Sequence, residues 1–224
     1  MASEINTCER DILLAIRKHS TADNGAQNIV QLLGYDLIPE PQWLMLSTLP
    51  ACCTLCDSPP IPLQYACFVF LEVHAALKFL HRECDPPIAH GDLHSGNVLV
   101  GFADNGRLKV LLIDFGEAET GNDIDVSLRW DIWHLIVLVV DLYKKRGYIG
   151  QCEKLEELMR VESRAEDEWC GLDRLWKEFG EVAGKSVGNA EAMGRAKELV
   201  DQVVQKQGEY LGVQANYFRV GSVL

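Results

Sequence analysis

No uninterrupted apolar stretch in this 224-residue sequence is long enough to cross a bilayer. The two most apolar runs, LQYACFVFLEVHAALKFLH (63–81) and WDIWHLIVLVVDLY (130–143), are broken by Glu72, His74 and Lys78 and by His134 and Asp141. Each therefore reads as a buried helix of a helical subdomain, and no membrane span is expected. Basic charge is also scarce: 21 Lys and Arg stand against 33 Asp and Glu, a net charge of −12. That excess repels phosphate backbones and no basic stripe overrides it, which argues against nucleic acid as a partner. The start, MASEINTCERDILL, has acidic residues where a secretory signal would be positive. The chain is accordingly expected to be intracellular and cytoplasmic, in a reducing compartment. Its cysteines, Cys8, Cys52, Cys53, Cys56, Cys67, Cys84, Cys152 and Cys170, are scattered over unlike elements and read as thiols, not as a disulfide framework. Cys53 and Cys56 form a C-x-x-C, but no second His or Cys pair follows at finger-like spacing, so a structural zinc site is not expected.

What is present is an apolar fraction of 48%, enough for a sizeable core. Residues 7–19, TCERDILLAIRKH, space Ile12, Leu13 and Ile16 at helical intervals behind a capping Thr7 and acidic residues that suit a helix start. NIVQLLGYDLI and PQWLMLSTLP, around Pro39 and Pro41, read as two strands joined by a turn. ACCTLCDSPPIP then reads as a loop before the 63–81 helix. NVLVGFADNGRLKVLLIDFG is an apolar run, Asn105-Gly106 and a second apolar run, the strongest short-range signal for a β-hairpin. From residue 130 to about 206 the pattern is helical again, in 130–145, CEKLEELMRVES, AEDEWCGLDRLWKEFG and NAEAMGRAKELVDQVVQKQ. The last dozen residues, VQANYFRVGSVL, carry no readable pattern.

The stretch IAHGDLHSGNVLV (88–100) packs His90, Gly91, Asp92, His94, Gly96 and Asn97 between apolar residues. Asp92 and Asn97 precede the first strand of the hairpin, and Asp114 follows the second. Because a hairpin brings its two ends together, these three side chains are expected at one end of a small sheet. They would offer two oxygen ligands for a hard divalent cation and one spare carboxylate. Magnesium with a phosphorylated substrate suits that set, since this ion takes few protein ligands and completes its shell with phosphate and water.

HGDLHSGN followed by a hairpin and IDFG resembles the catalytic loop and magnesium motif of the protein-kinase-like superfamily. The resemblance implies an α+β kinase-like fold over 1–224, with a truncated amino-terminal lobe (1–55) and a mainly helical carboxy-terminal lobe (56–224). It implies ATP and Mg2+ as ligands and transfer of the γ-phosphate to a hydroxyl of a protein or small molecule. By that resemblance Asp92 orients or deprotonates the hydroxyl, Asn97 and Asp114 hold the metal, and His90, Phe115 and Gly116 are structural. Backbone groups near Ser47 and Leu49 would meet the adenine, with Leu99 as its floor. Glu9 resembles the helix C glutamate, and Asp131 resembles the aspartate of a buried helix that ties down the catalytic loop. His94, where protein serine/threonine kinases usually carry Lys, is similar to the aminoglycoside and choline kinase branch.

The sequence departs from the family pattern in two places. Neither a G-x-G-x-x-G nor a V-A-I-K-like strand lies between Met1 and Glu9, so Glu9 lacks its family partner and the phosphates lose a lid and a positive charge. That loss should lower the rate by orders of magnitude. Between Gly116 and Asp131 there is only EAETGNDIDVSLRW, with no platform for a peptide, and Gly91 stands where a protein kinase has Arg. A phosphotransferase acting on a small hydroxylated molecule is the first expectation. A kinase-like binding module that contacts a protein partner, or a fragment of a longer kinase, is the alternative.

Overall fold

A computed structural model describes residues 9–21, 24–37, 43–49, 51–56, 63–103, 105–144 and 171–188, together with 193–194, 197–202 and 205. The architecture is mixed α and β, with three small sheets packed among helices.

Helix α1 (Glu9–His19) carries Glu9 and Asp11 in its first turn and Arg17, Lys18 and His19 in its last, complementing the helix dipole at both ends. It buries Ile12, Leu13 and Ile16, the stripe expected from their spacing; Thr7, the expected cap, lies outside the described residues. The helix ends where Ser20 turns its hydroxyl back onto the Ile16 carbonyl at 2.8 Å. A short 3-10 turn (Ala26–Asn28) leads into β1 (Leu32–Tyr35), which pairs antiparallel with β2 (Leu44–Leu46). The two strands foreseen around Pro39 and Pro41 are thus found, with the prolines themselves outside the described residues.

Residues 51–54 correct the reading of ACCTLCDSPPIP as a loop. Ala51–Thr54 form a strand, β3, antiparallel to β5 with Cys53 opposite Val100 and Thr54 opposite Leu99. Its partner lies more than forty residues downstream, so no local turn or alternation announces the pairing.

Helix α2 (Leu63–Arg82) is the predicted long helix. Tyr65, Val69, Phe70, Val73, Ala76, Leu77 and Leu80 are all buried in one core. A two-residue strand, β4 (Ile88–Ala89), leads into the 90–97 loop, and β5 (Val98–Phe102) and β6 (Leu108–Leu112) form the predicted hairpin. Its turn uses Gly106 at φ 71°, where glycine carries no Cβ penalty, and Asn105 accepts a hydrogen bond from the Arg107 N–H at 3.0 Å. β7 (Glu119–Thr120) pairs with β4.

Helix α3 (Asp125–Lys144) begins five residues before the expected 130, where Asp125 suits the first turn. It buries Asp131, Ile132, Leu135, Ile136, Val139 and Val140. CEKLEELMRVES lies outside the described residues. A helical turn (Leu172–Leu175) continues through a π-helical turn (Trp176–Gly180) into a helix over Glu181–Val187. Phe179 meets Phe70 of α2 edge-on at 4.8 Å, and the buried His74 donates its Nε2–H to the Leu172 carbonyl at 3.0 Å. Among the described residues no helix is long and apolar enough to cross a membrane.

Candidate functional site

The hairpin does what its ends require. Val98 faces Leu112 across the ladder, and the Ile113 N–H donates to the Asn97 carbonyl at 3.0 Å, so the residues flanking both strands converge. Asp92, Asn97 and Asp114 are therefore gathered at one end of the sheet.

Asn97 is buried and donates its Nδ2 hydrogens to the Asp92 carbonyl and to Asp92 Oδ2, each at 3.0 Å. That orients the Asp92 carboxylate and turns the acceptor oxygen of the Asn97 amide away from Asp92. Asp114 sits at φ 64°, a left-handed conformation that Asp tolerates better than most residues. Its Oδ1 accepts from the Gly116 N–H at 3.3 Å, leaving its second oxygen at the exposed end of the turn. The donor set fits magnesium, which takes few protein oxygens. Among the described residues no group of three His, Cys, Asp or Glu side chains forms a fuller cage.

His94 lies on the open side of Asp92. Its Nδ1 accepts from the Gly96 N–H at 2.9 Å, which assigns the proton to Nε2, 3.3 Å from Asp92 Oδ2. Both side chains are about half exposed, 55% for His94 and 48% for Asp92, so the pair contributes little to stability; it sets the direction in which Asp92 faces.

The loop is held from below by Asp131. This carboxylate has no solvent exposure and accepts from the His90 N–H at 2.8 Å, the Gly91 N–H at 3.0 Å and His81 Nε2 at 2.9 Å. His81, in the last turn of α2, is a partner that sequence reading missed, because nothing in the 63–81 pattern separates it from a surface residue. His90 is buried as well, donating Nε2–H to the Ile113 carbonyl at 3.0 Å, with its ring tilted against the fully buried Phe115 at 4.8 Å. Gly91 has φ 80°, and a Cβ there would lie 2.2 Å from the Glu117 carbonyl oxygen. The glycine that stands where protein kinases carry Arg is thus a steric requirement of this backbone.

His134, one turn beyond Asp131 on α3, was also missed. Its ring packs against Trp130 and Trp133, and its Nδ1 is buried with no hydrogen-bond partner. Burial lowers the pKa of His90 and of His134, with nearby Asp131 opposing in each case; burial likewise lowers that of His74. A histidine held neutral in the fold but free to protonate near pH 6.5 when unfolded stabilises the native state fully above that pH. This contribution is lost as pH falls through 6.5 towards the lower folded value. Stability should therefore drop between pH 7.5 and 5.5, by at most about 1.4 kcal/mol per pH unit for each fully buried histidine. Replacing His74 by Gln should flatten the denaturant midpoint against pH; an unchanged slope would contradict the assignment.

Ser47 and Leu49 line a cavity of about 340 Å³ with Leu111, Lys109, Ile29 and Gln31. Leu99 does not line it, although it stands opposite Leu111 in the ladder and so on the same sheet face. The cavity also has none of Asp92, Asn97 or Asp114 in its wall. The structure thus brings together Asp92, His94, Asn97, Asp114, Glu9, His90, Phe115, Gly116 and Asp131, and places Ser47 and Leu49 in the wall of a cavity that none of these residues lines.

No family model matches the chain. It is 34% identical over 119 residues to a receptor-like protein kinase of Arabidopsis thaliana, covering 50% of this chain and 31% of that protein. Over 62 residues it is 36% identical to a second such kinase, covering 26% and 8%. Over 51 residues it is 47% identical to a leucine-rich repeat receptor-like serine/threonine-protein kinase of the same plant, covering 23% and 4%. The chain spans less than a third of the length of each of these relatives. These partial matches support a distant kinase-like relationship.

Proposed function

We propose that this chain is an ATP- and magnesium-dependent phosphotransferase of the protein-kinase-like superfamily, acting on a hydroxyl. The observation that carries the reading is the convergence of Asp92, Asn97 and Asp114 at one end of the hairpin, with Asp92 held by Asn97 Nδ2 at 3.0 Å. Asn97 and Asp114 would hold the magnesium, which would supply positive charge to offset that of the phosphates. Asp92 orients the acceptor hydroxyl and takes its proton as the oxygen bonds to the γ-phosphorus and ADP leaves. His94 steadies the carboxylate through its Nε2–H. Only fourteen residues separate Gly116 from Asp131, which favours a small hydroxylated molecule over a peptide as acceptor.

Thermal unfolding with and without millimolar Mg-ATP tests the reading. A ligand at ~100 times its dissociation constant adds about 2.7 kcal/mol to the folded state. Wild type should gain that shift and Asp114→Asn should lose it. If neither protein responds, the nucleotide-dependent reading fails.

A second reading, a kinase-like module that binds a protein partner, is favoured by the β1–β2 ribbon. It is two-stranded and exposes Leu33, Trp43 and Met45 by more than half, an apolar surface of the kind that partners cover.

A further inference from the structure

The cavity walled by Ser47 and Leu49 has a side-chain chemistry that phosphoryl transfer at Asp92 does not use. Its floor is apolar and buried: Ala26, Ile29, Leu49 and Leu111 are each at most 6% exposed. Around that floor stand the hydroxyls of Thr21, Ser47 and Thr48 and the ammonium of Lys109, and among the described residues of the wall none carries a carboxylate. In a chain of net charge −12, a recess with a cation and no acid favours negatively charged ligands. We infer that this cavity binds a small phosphomonoester, with its phosphate on Lys109 and the neighbouring hydroxyls and its organic part on the apolar floor.

The wall is fixed before any ligand arrives. The Gln31 N–H donates to Ser47 Oγ at 2.8 Å, and the Ser47 N–H donates to the Gln31 carbonyl at 2.8 Å. Ser47 Oγ is thereby held in place, and its O–H is left to donate to a ligand. Gln31 Nε2 donates to the Ala26 and Ile29 carbonyls at 3.1 and 3.0 Å, so its Oε1 is left to accept from a ligand hydroxyl. Lys109 and Leu111 are two apart in β6 and share a face of the strand. Lys109 takes part in none of the ion pairs found among the described residues, and Glu72 of α2 reaches it only through the electrostatic field. Arg17, Lys18 and His19 end α1 just before Ser20 and Thr21 of the wall and add positive charge there. A lysine on a phosphate oxygen makes a charge-assisted bond, about twice as strong as a neutral one, and donors already held in place lose little freedom on binding. Phosphate offers three acceptor oxygens to this set where a carboxylate offers two. The volume of about 340 Å³ exceeds what a bare anion fills and lies in the range of small-molecule sites. Asp92, Asn97 and Asp114 are absent from the wall, so binding should need no magnesium.

Titration calorimetry of the full chain in EDTA tests the site, with inorganic phosphate and glycerol 2-phosphate as probes. Both should bind, and glycerol 2-phosphate more tightly, since only it has an organic part to cover the floor. Lys109→Gln should weaken that affinity about tenfold, the scale of one charge-assisted hydrogen bond. Lys109→Arg, which keeps the charge, should stay within about threefold of wild type. Absence of binding by either probe at millimolar concentration, an affinity unchanged in Lys109→Gln, or malonate bound as tightly as glycerol 2-phosphate overturns the proposal. Displacement of the phosphate probe by adenosine also overturns it, by giving the cavity to a nucleotide base. Each of these results is independent of the Mg-ATP response of wild type and Asp114→Asn, so the phosphotransferase reading stands or falls separately.

Discussion

Asp131→Ala should cost about 3–5 kcal/mol of folding stability, the scale measured when one partner of a buried charged network is removed. The side chain is fully buried and accepts three hydrogen bonds, from the His90 and Gly91 amides and from His81 Nε2. Deleting it leaves two backbone N–H groups facing a hole with no acceptor and strands His81 against it. Since natural domains have about 5–15 kcal/mol in total, the variant should sit at or near the edge of folding at 25 °C. Asp131→Asn keeps one oxygen and should lose less, about 1–3 kcal/mol for a single unsatisfied donor. Urea denaturation at pH 7.5 decides the matter. A loss below 1 kcal/mol for the Ala variant would show that the loop is held by something other than Asp131.

Gly91→Ala should cost about 2–4 kcal/mol, although it adds a single methyl group. Left-handed backbone contributes about 1–2 kcal/mol of that, and the clash of the new Cβ, 2.2 Å from the Glu117 carbonyl oxygen, contributes about as much again by forcing backbone to move. Asp92 is the next residue, so the displacement should carry its carboxylate away from Asn97 Nδ2 and His94 Nε2. Gly91→Arg, which restores the protein-kinase pattern, should be worse than Gly91→Ala. Denaturant midpoints of the two variants order the costs. An arginine tolerated without loss would mean that Glu117 yields readily and that the glycine is not required.

Much of the candidate site was legible in the sequence. The hairpin announced itself through Asn105-Gly106 between two apolar runs, because turn chemistry and alternation are local properties. Its closure then placed the residues flanking Val98 and Leu112 together by geometry alone. The helices were legible for the same reason: Ile12, Leu13 and Ile16 recur at helical spacing, and 63–81 is too apolar to be exposed. Other features were not legible. β3 is defined by hydrogen bonds to β5, far along the chain, and Cys52 and Cys53 give no local sign of it. His81 meets Asp131 across fifty residues, and Glu9 meets Phe115 across 106.

The sequence by itself determined the order of the candidate side chains and the hairpin that must bring Asp92, Asn97 and Asp114 to one end. Spacing and turn preference act over a few residues, and a few residues suffice for those conclusions. Tertiary structure alone decided which groups contact those segments: Asp131 beneath the loop, Glu9 on the Phe115 amide, and the Glu117 carbonyl that admits only glycine at 91. It also decided that Ser47 and Leu49 share a cavity with Lys109 and Leu111 of the hairpin. Those contacts join segments whose separation along the chain exceeds any local period, so they exist only once the core has closed around them.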